Sequence, residues 1–316
     1  MGVGDESVRF IMMVGIPASG KSTKAQDLAK KTGALIISSD DLRHELFEDV
    51  NCQDRNTELF QEMNRRTIKF LKMGESVIYD ATNLSSKRRK ALLTQIPKGV
   101  FKCCIYMVAT PYQAEIRDID RDRVVGSDVI DKMYKRAQVP MYHEGWDSII
   151  LYPLHHRFDN KKEFVMPDTY EEYRHFLIEN DCRGCVDLAQ DTPYHTLSVS
   201  RHMYYAYDKI KDSDNEDVKI ACLLHDIGKW YCKEFNGKYA SFKCHECVSA
   251  QMAIRVLKEF DLSEKRIIRI ATLIQLHMMM HNKEWGSKSR ERFKNEVGVD
   301  MWNDLMTLNN CDSTAK

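Results

Sequence analysis

The run Gly15-Ile-Pro-Ala-Ser-Gly-Lys-Ser22 follows directly on the apolar stretch Phe10 to Val14 and leads into a helical pattern from Thr23 to Lys30. A strand, a glycine-rich turn and a helix in that order leave few folds open to the chain. Gly15 and Gly20 let the backbone turn tightly and aim N–H groups inward. Lys21 can reach the β- and γ-phosphates of a nucleoside triphosphate, Ser22 can offer its hydroxyl to Mg²⁺, and the helix adds its positive end. Gly15, Ser19, Gly20, Lys21, Ser22 and Thr23 are therefore expected to line a triphosphate site.

Further apolar runs end in polar residues. Ala34 to Ile37 leads to Ser38-Ser39-Asp40-Asp41-Leu42-Arg43, Ser76 to Tyr79 leads to Asp80-Ala81-Thr82-Asn83, and Phe101 to Val108 reads as a longer strand. Helical patterns at Thr57 to Met73 and Leu84 to Leu93 lie between them. This alternation predicts an α/β domain with a parallel sheet covered by helices. Ligands in such sheets bind beyond the carboxyl ends of the strands, so one cleft can hold the Gly15 loop, Asp40 and Asp80.

That cleft suits phosphoryl transfer to an alcohol, which needs a carboxylate beside the acceptor hydroxyl and cations around the transferred group. Asp40 can be the carboxylate. Arg117 and Arg121, four residues apart in Tyr112 to Arg123, would share one face of a helix and could close over the triphosphate as a lid. Arg88 belongs to the basic run Lys87-Arg88-Arg89-Lys90, either a solvated helix end or a track for a phosphate backbone.

Through Gly15 to Thr23, Asp40-Asp41-Leu42-Arg43, Asp80-Ala81-Thr82-Asn83-Leu84 with Arg88-Arg89, and Arg117 with Arg121, residues 8 to about 152 resemble the kinase domain of the phage-type polynucleotide 5′-kinases. The resemblance implies ATP and Mg²⁺ as cofactors, Asp40 as general base on a 5′-hydroxyl, and Arg43 on the phosphate one nucleotide in. It implies that Lys21, Arg117 and Arg121 stabilise the transferred group and that Asp80, Asn83 and Arg88 lie on the acceptor side.

The 316 residues accommodate two domains. Forty-seven basic residues balance 47 acidic ones, so nucleic-acid binding is expected to be local to a site. No window has the 18 or more apolar residues of a membrane span, and the N-terminus lacks the order of a signal peptide. A cytoplasmic protein without membrane partners is expected, in the host cytoplasm if phage-encoded. Its ten cysteines should stay reduced. Cys182-Cys185 and Cys244-Cys247 have zinc-site spacing, with free buried thiols as the plainer account.

Residues 153–190 read as a connector, with a short helix from Tyr170 to Glu179, and 191–316 as a second, all-α domain. Nine of the 11 histidines lie after residue 150. His225-Asp226 closes the apolar helix that begins near Ala221, and adjacent helical residues, about 100° apart, converge on one metal only in a buried pocket with other ligands. His202, His245-Glu246, His277 and Asp312 supply candidates. In this order and spacing they resemble the HD-superfamily metal phosphohydrolases over about residues 190 to 312. By that similarity His202, His225, Asp226 and Asp312 hold one divalent metal, such as Mn²⁺. His245 and His277 complete a second metal site or grip substrate phosphate, and Lys229 helps bind phosphate. His195, seven residues from His202 and about 10 Å along the same helical face, is the alternative first ligand. His281 is left as an ordinary histidine and Met278-Met279-Met280 as packing.

Together the two resemblances imply an enzyme that heals broken RNA ends. It would phosphorylate a 5′-hydroxyl and remove a 3′-phosphate or open a 2′,3′-cyclic phosphate, on RNA with DNA as the alternative. A separate RNA ligase would be its partner. Two rivals remain: a nucleoside kinase joined to an HD nucleotidase, and a kinase joined to a non-catalytic HD-like RNA-binding module.

Overall fold

The computed structural model describes residues 7–48, 54–121, 123–153, 161–193, 196–281 and 285–315. The chain forms two compact units, Met1–Tyr134 with Pro140–His156, and Lys135–Val139 with Arg157–Lys316.

The first unit runs β1 (Arg9–Val14), α1 (Lys21–Thr32), β2 (Leu35–Ser38), α2 (Ser39–Phe47), α3 (Asn56–Lys72), β3 (Val77–Asp80), α4 (Ser86–Leu93), β4 (Phe101–Val108), α5 (Pro111–Ile119), α6 (Ser127–Arg136) and β5 (Ser148–Pro153). The strands make one parallel sheet in the order β2-β3-β1-β4-β5. A central parallel strand is covered on both faces and so carries an unbroken apolar run. In β1 Phe10, Met12, Met13 and Val14 are all buried. Helix α3 buries a stripe of Leu59, Met63, Thr67 and Leu71 at every fourth residue.

Register aligns the ends of the strands that matter. Asp80 lies opposite both Met13 on β1 and Ser38 on β2. The loop after β1, the start of α2 and the end of β3 therefore open at one edge of the sheet, as the topology demands. Strand β5 was not among the expected strands, although its pairing with β4 extends from Cys103↔Ser148 to Val108↔Pro153.

The second unit contains α7 (Tyr170–Glu179), α8 (Val199–Asp208), α9 (Glu216–Leu224), α10 (Lys229–Cys232), β6 (Lys233–Asn236), β7 (Tyr239–Phe242), α11 (His245–Leu257), α12 (Glu264–Leu276), α13 (Ser287–Val297) and α14 (Val299–Thr314). It is mostly helical, as expected, with one short antiparallel pair, β6-β7, set between α10 and α11. Helix α7 starts on a capping box of Thr169 and Glu172. It buries Tyr173, whose hydroxyl donates to the carbonyl of Leu223 at the end of α9. Helices α9, α11 and α12 are buried over most of their length. Among the described residues no helix is long and apolar enough to cross a membrane.

Candidate functional site

The loop after β1 is built around its glycines. At φ 158° a Cβ on Gly15 would stand 2.7 Å from Ser19 Oγ and 2.9 Å from Met107 Cβ, so no larger residue fits. Gly20 begins α1 at φ 86°, and Gly15 N–H donates to the carbonyl of Thr82 at 3.1 Å. Lys21 is buried, its Nζ donating to the carbonyl of Ile16 at 2.6 Å and lying 3.3 Å from Ser19 Oγ. Burial pulls the Lys21 pKa down to about 8, against the raising fields of Asp80 and Asp40 and with the lowering field of Arg121. Those four charges thus occupy one electrostatic neighbourhood. Ser22 and Thr23 open α1 on its exposed side. Asp80 is buried, which raises its pKa, and the Ser22 hydroxyl is hydrogen-bonded to it. Asp80 therefore stands beside the glycine-rich loop, next to Lys21 and Ser22.

Ser38 caps α2 by accepting from the backbone N–H of Asp40 and Asp41, which places both acids at the positive end of that helix. The half-exposed Asp40 carboxylate lies 3.1 Å from Arg43 and 3.2 Å from Arg123. Arg43 is buried and also donates to Asn56 Oδ1 at 2.8 Å. Arg123 was not among the expected site residues, although three arginines within seven positions signalled it.

Arg117 and Arg121 do not share a helical face. Arg117 is in the last turn of α5, whereas Arg121 lies beyond the helix, 3.3 Å from the Asp118 carboxylate. The same carboxylate accepts from the N–H groups of Val125 and Gly126 at 2.7 and 2.8 Å. Asp118 thereby ties the following loop back to the helix.

Asn83, at φ 52°, commits its amide to the carbonyls of Met13 and Ala81. Arg89 leaves the expected basic track altogether, since it is buried in a two-point pair with Glu144 and donates to the carbonyl of Asn83. Arg88 is exposed, its guanidinium 5.8 Å from the Phe60 ring centroid.

In the second unit six expected residues converge. His202, His225 and Asp312 form one buried group of possible metal ligands and Asp226, His245 and His277 a second. Asp226 stands between them. Its Oδ2 lies 3.5 Å from His202 Nε2 and 3.4 Å from His225 Nε2, and its Oδ1 lies 3.1 Å from His245 Nε2 and 3.9 Å from His277 Nε2. Asp312 Oδ1 is 2.9 Å from His202 Nε2 and 3.6 Å from His225 Nε2.

The backbone orients every ring. The Nδ1 atoms of His225, His245 and His277 reach the carbonyls of Cys222, Phe242 and Ile274, three residues back in each case, and His202 Nδ1 reaches the carbonyl of Ala315. With Nδ1–H donating, each Nε2 presents a lone pair to the centre, as a metal-binding imidazole requires.

The electrostatics fit a cation. Burial works to lower the His225 pKa, but Asp226 and Asp312 overcome it and push it up to about 10. Burial and the neighbouring His225 and His245 drive His277 down to about 3, the neutral form that ligates. Burial opposes ionisation of Asp226 and Asp312, yet Lys229 and the histidines around Asp226, and His202 with its fellow histidines around Asp312, hold both carboxyls well below their usual range. Asp226 Oδ1 and His245 Nε2 are buried without an aligned hydrogen-bond partner, a costly state that a divalent ion would relieve. Four imidazoles and two carboxylates make a donor set suited to one or two such ions.

Lys229 Nζ lies 2.7 Å from Asp226 and donates to Gln190 Oε1 at 2.8 Å. His281, left aside in the sequence, meets Asp312 Oδ2 at 2.8 Å, and its four-residue spacing from His277 was the available signal. Gln190 carried none. His195 lies outside the described residues. No cysteine belongs to either cluster of possible metal ligands among the described residues, and Cys182, Cys185 and Cys247 are buried free thiols while Cys244 is half-buried.

Residues 10–140 match the AAA domain family and residues 192–308 match the HD domain family. The chain thus joins an N-terminal P-loop kinase domain to a C-terminal HD domain, the latter implying a divalent metal. It is similar to the L-seryl-tRNA(Sec) kinase of Methanococcus maripaludis, with 29% identity over 237 residues, 71% of this chain and 89% of that protein. Among solved structures it is similar to a chain of the Pnkp1/Rnl/Hen1 RNA repair complex, at 19% identity and TM-score 0.37 over 41% of this chain, and spans only 44% of that chain. A gluconokinase from Sinorhizobium meliloti 1021 aligns at 17% identity and TM-score 0.36 over 47% of this chain and 84% of its own.

Proposed function

We propose that the chain heals RNA ends, its first domain phosphorylating a 5′-hydroxyl with ATP and its second removing a 3′-phosphate or opening a 2′,3′-cyclic phosphate. The observation that carries the reading is Asp40. Its half-exposed carboxylate is close enough to Lys21 to shift that lysine and is flanked by Arg43 and Arg123. A carboxylate poised to accept a hydroxyl proton, with guanidiniums beside it, suits an acceptor that carries its own phosphodiester.

In this reading Asp40 takes the proton of the 5′-hydroxyl and Arg43 meets the adjoining phosphate. Lys21, Arg117 and Arg121 neutralise charge on the transferred group. Ser22 and Asp80 together hold Mg²⁺, which moves Asp80 from the acceptor side to the nucleotide side. Asn83 shapes the loop under the cleft, and Arg88 remains available to a phosphate backbone.

In the HD domain, His202, His225 and Asp312 would hold one divalent ion, with Asp226 shared toward His245 and His277. A bound ion such as Mn²⁺ would polarise the phosphate and lower the pKa of water. Lys229 adds positive charge for the phosphate. Ends restored in this way are substrates for sealing, so a separate RNA ligase is the proposed partner and the cytoplasm the proposed setting.

The kinship with an L-seryl-tRNA(Sec) kinase favours one second reading, in which the acceptor hydroxyl is borne by an aminoacyl group on RNA. An oligoribonucleotide with 5′-hydroxyl and 3′-phosphate ends, incubated with ATP, Mg²⁺ and Mn²⁺, decides between them when seryl-tRNA is run in parallel. Both termini of the oligomer are expected to change. Phosphorylation of seryl-tRNA with the 5′-hydroxyl untouched would establish the second reading, and a deoxyribose oligomer tests DNA ends.

A further inference from the structure

The fifteen residues Lys229 to Lys243 contain five aromatic side chains, Trp230, Tyr231, Phe235, Tyr239 and Phe242, in a chain that is 9% aromatic overall. They also contain four lysines against one acid, Glu234, in a protein of zero net charge. Basic and aromatic residues interleaved in this way are what a single-stranded nucleic acid needs, one set for phosphates and the other for base faces.

The segment joins two parts of the metal centre. It begins at Lys229, which pairs with Asp226, and ends beside His245, whose Nδ1 is held by the Phe242 carbonyl. Between them run β6 and β7, with Lys233 opposite Phe242 and Phe235 opposite Ala240. Directly opposed residues share a face of an antiparallel ribbon, so Lys233, Phe235 and Phe242 line one face. Lys229 Nζ lies 5.4 Å from the Phe242 ring centroid, and Lys233 Nζ lies 5.3 Å from that of Phe235. Lys233 is steadied there by Asp191 Oδ2 at 2.5 Å and the Ala189 carbonyl at 2.6 Å. Cation and ring thus alternate outward from the buried centre to Phe235, which is 62% exposed. Tyr239, 45% exposed, projects from the opposite face with Asn236.

We propose that this face of the β6-β7 ribbon is the platform on which the single-stranded 3′ end of an RNA stacks as its terminal phosphate enters the HD centre. The proposal rests on the RNA-end reading above and names the element that would hold the strand. Phe235 receives a base on its open face. Lys233, on the same face, supplies charge to the backbone, whereas Lys238 lies over the Tyr239 ring at 5.5 Å and belongs to the other side.

The test is fluorescence anisotropy of the full-length chain, in chelator, with a single-stranded oligoribonucleotide bearing a 5′ fluorophore and a 3′-phosphate. The 5′ label prevents phosphorylation, and the same measurement on the oligomer without its 3′-phosphate subtracts binding that does not involve the 3′ end. Phe235→Ala is expected to weaken binding about tenfold, the loss of one stacked base, and Phe235→Trp to restore it. Tyr239→Ala should bind as the wild type does. Lys233→Ala should flatten the salt dependence by about 0.7 in slope, the value for one phosphate contact on a single strand. In Mn²⁺, Phe235→Ala should raise KM for the 3′-phosphorylated oligomer relative to KM for a nucleoside 3′-monophosphate, with kcat retained.

Equal losses in Phe235→Ala and Tyr239→Ala, or none in either, would overturn the platform and leave the face to a protein partner. Wild-type hydrolysis of oligomer 3′ ends would show in that case that the RNA-end reading itself survives. A wild type that hydrolyses the mononucleotide alone and binds no oligomer would overturn both.

Discussion

Lys21 shows how burial and function meet in one side chain. Its pKa, pulled from 10.5 down to about 8, means that between pH 8 and roughly 10, the ordinary range for lysine titration, the nucleotide-free protein holds the neutral amine. A triphosphate restores the ammonium. ATP binding at pH 9 should therefore take up a proton, and affinity should fall as pH rises past 8. Calorimetry in two buffers of different ionisation enthalpy measures that uptake, and its absence would mean that Lys21 is already charged. Lys21→Ala should abolish 5′-phosphorylation and leave phosphate removal near wild type. Asp40→Asn should retain ATP, measured by equilibrium binding, and lose turnover, because an amide keeps the shape but accepts no proton. The groupings that depend on local spacing were legible in the sequence: the glycine turn into α1 from Gly15 to Lys21, and the buried His225-Asp226 pair. Gln190 was not, and Arg123 and His281 carried only a spacing signal, because each meets a partner distant in the chain: Lys229, Asp40 and Asp312 respectively.

The elements repeat that division. Strand β4 and helix α7 have the bounds expected from the sequence, since each is an uninterrupted pattern with clear ends, and α7 has its capping box. Helix α5 stops short of the expected span because the Asp118 carboxylate draws Arg121 and two backbone N–H groups into a loop, a tertiary preference that periodicity cannot register. Strand β5 lies at the edge of the sheet and its membership depends on β4. The basic run of α4 misleads for a related reason, as Arg89 turns inward to a carboxylate 55 positions away. Arg89 and Glu144 are both about 1% exposed or less at the side chain, and Trp146 Nε1 adds a third bond at 3.0 Å. Glu144→Ala leaves a buried guanidinium alone and should cost about 3–5 kcal/mol, read from denaturant unfolding of the first domain. A change below 1 kcal/mol would indicate that water reaches Arg89 after all.

At the scale of the molecule, zero net charge means that any affinity for a polyanion would come from local groups, and the two proposed chemistries draw on separate sets. The HD centre shows this most sharply. Among the described residues Asp226 alone lies within 4 Å of all four imidazoles of the centre and of the Lys229 ammonium, so it balances positive charge for both halves of the centre. Asp226→Ala would leave Lys229 and the histidines facing each other in a buried space, where a dication would have one carboxylate fewer to hold it and added repulsion. We expect it to lose bound metal and to reduce removal of 3′-phosphate by more than about 100-fold, beyond the effect of an outer-shell contact. Its kinase activity should remain, and reports that the chain is folded. Chelation should reproduce the loss in the wild type, with Mn²⁺ restoring activity better than Mg²⁺ because imidazole suits the softer ion. Metal content by mass spectrometry and 3′-end turnover are measured on the same preparation. Retention of both by Asp226→Ala would place the metal and the hydrolysis outside this centre and leave the HD cluster without a catalytic role.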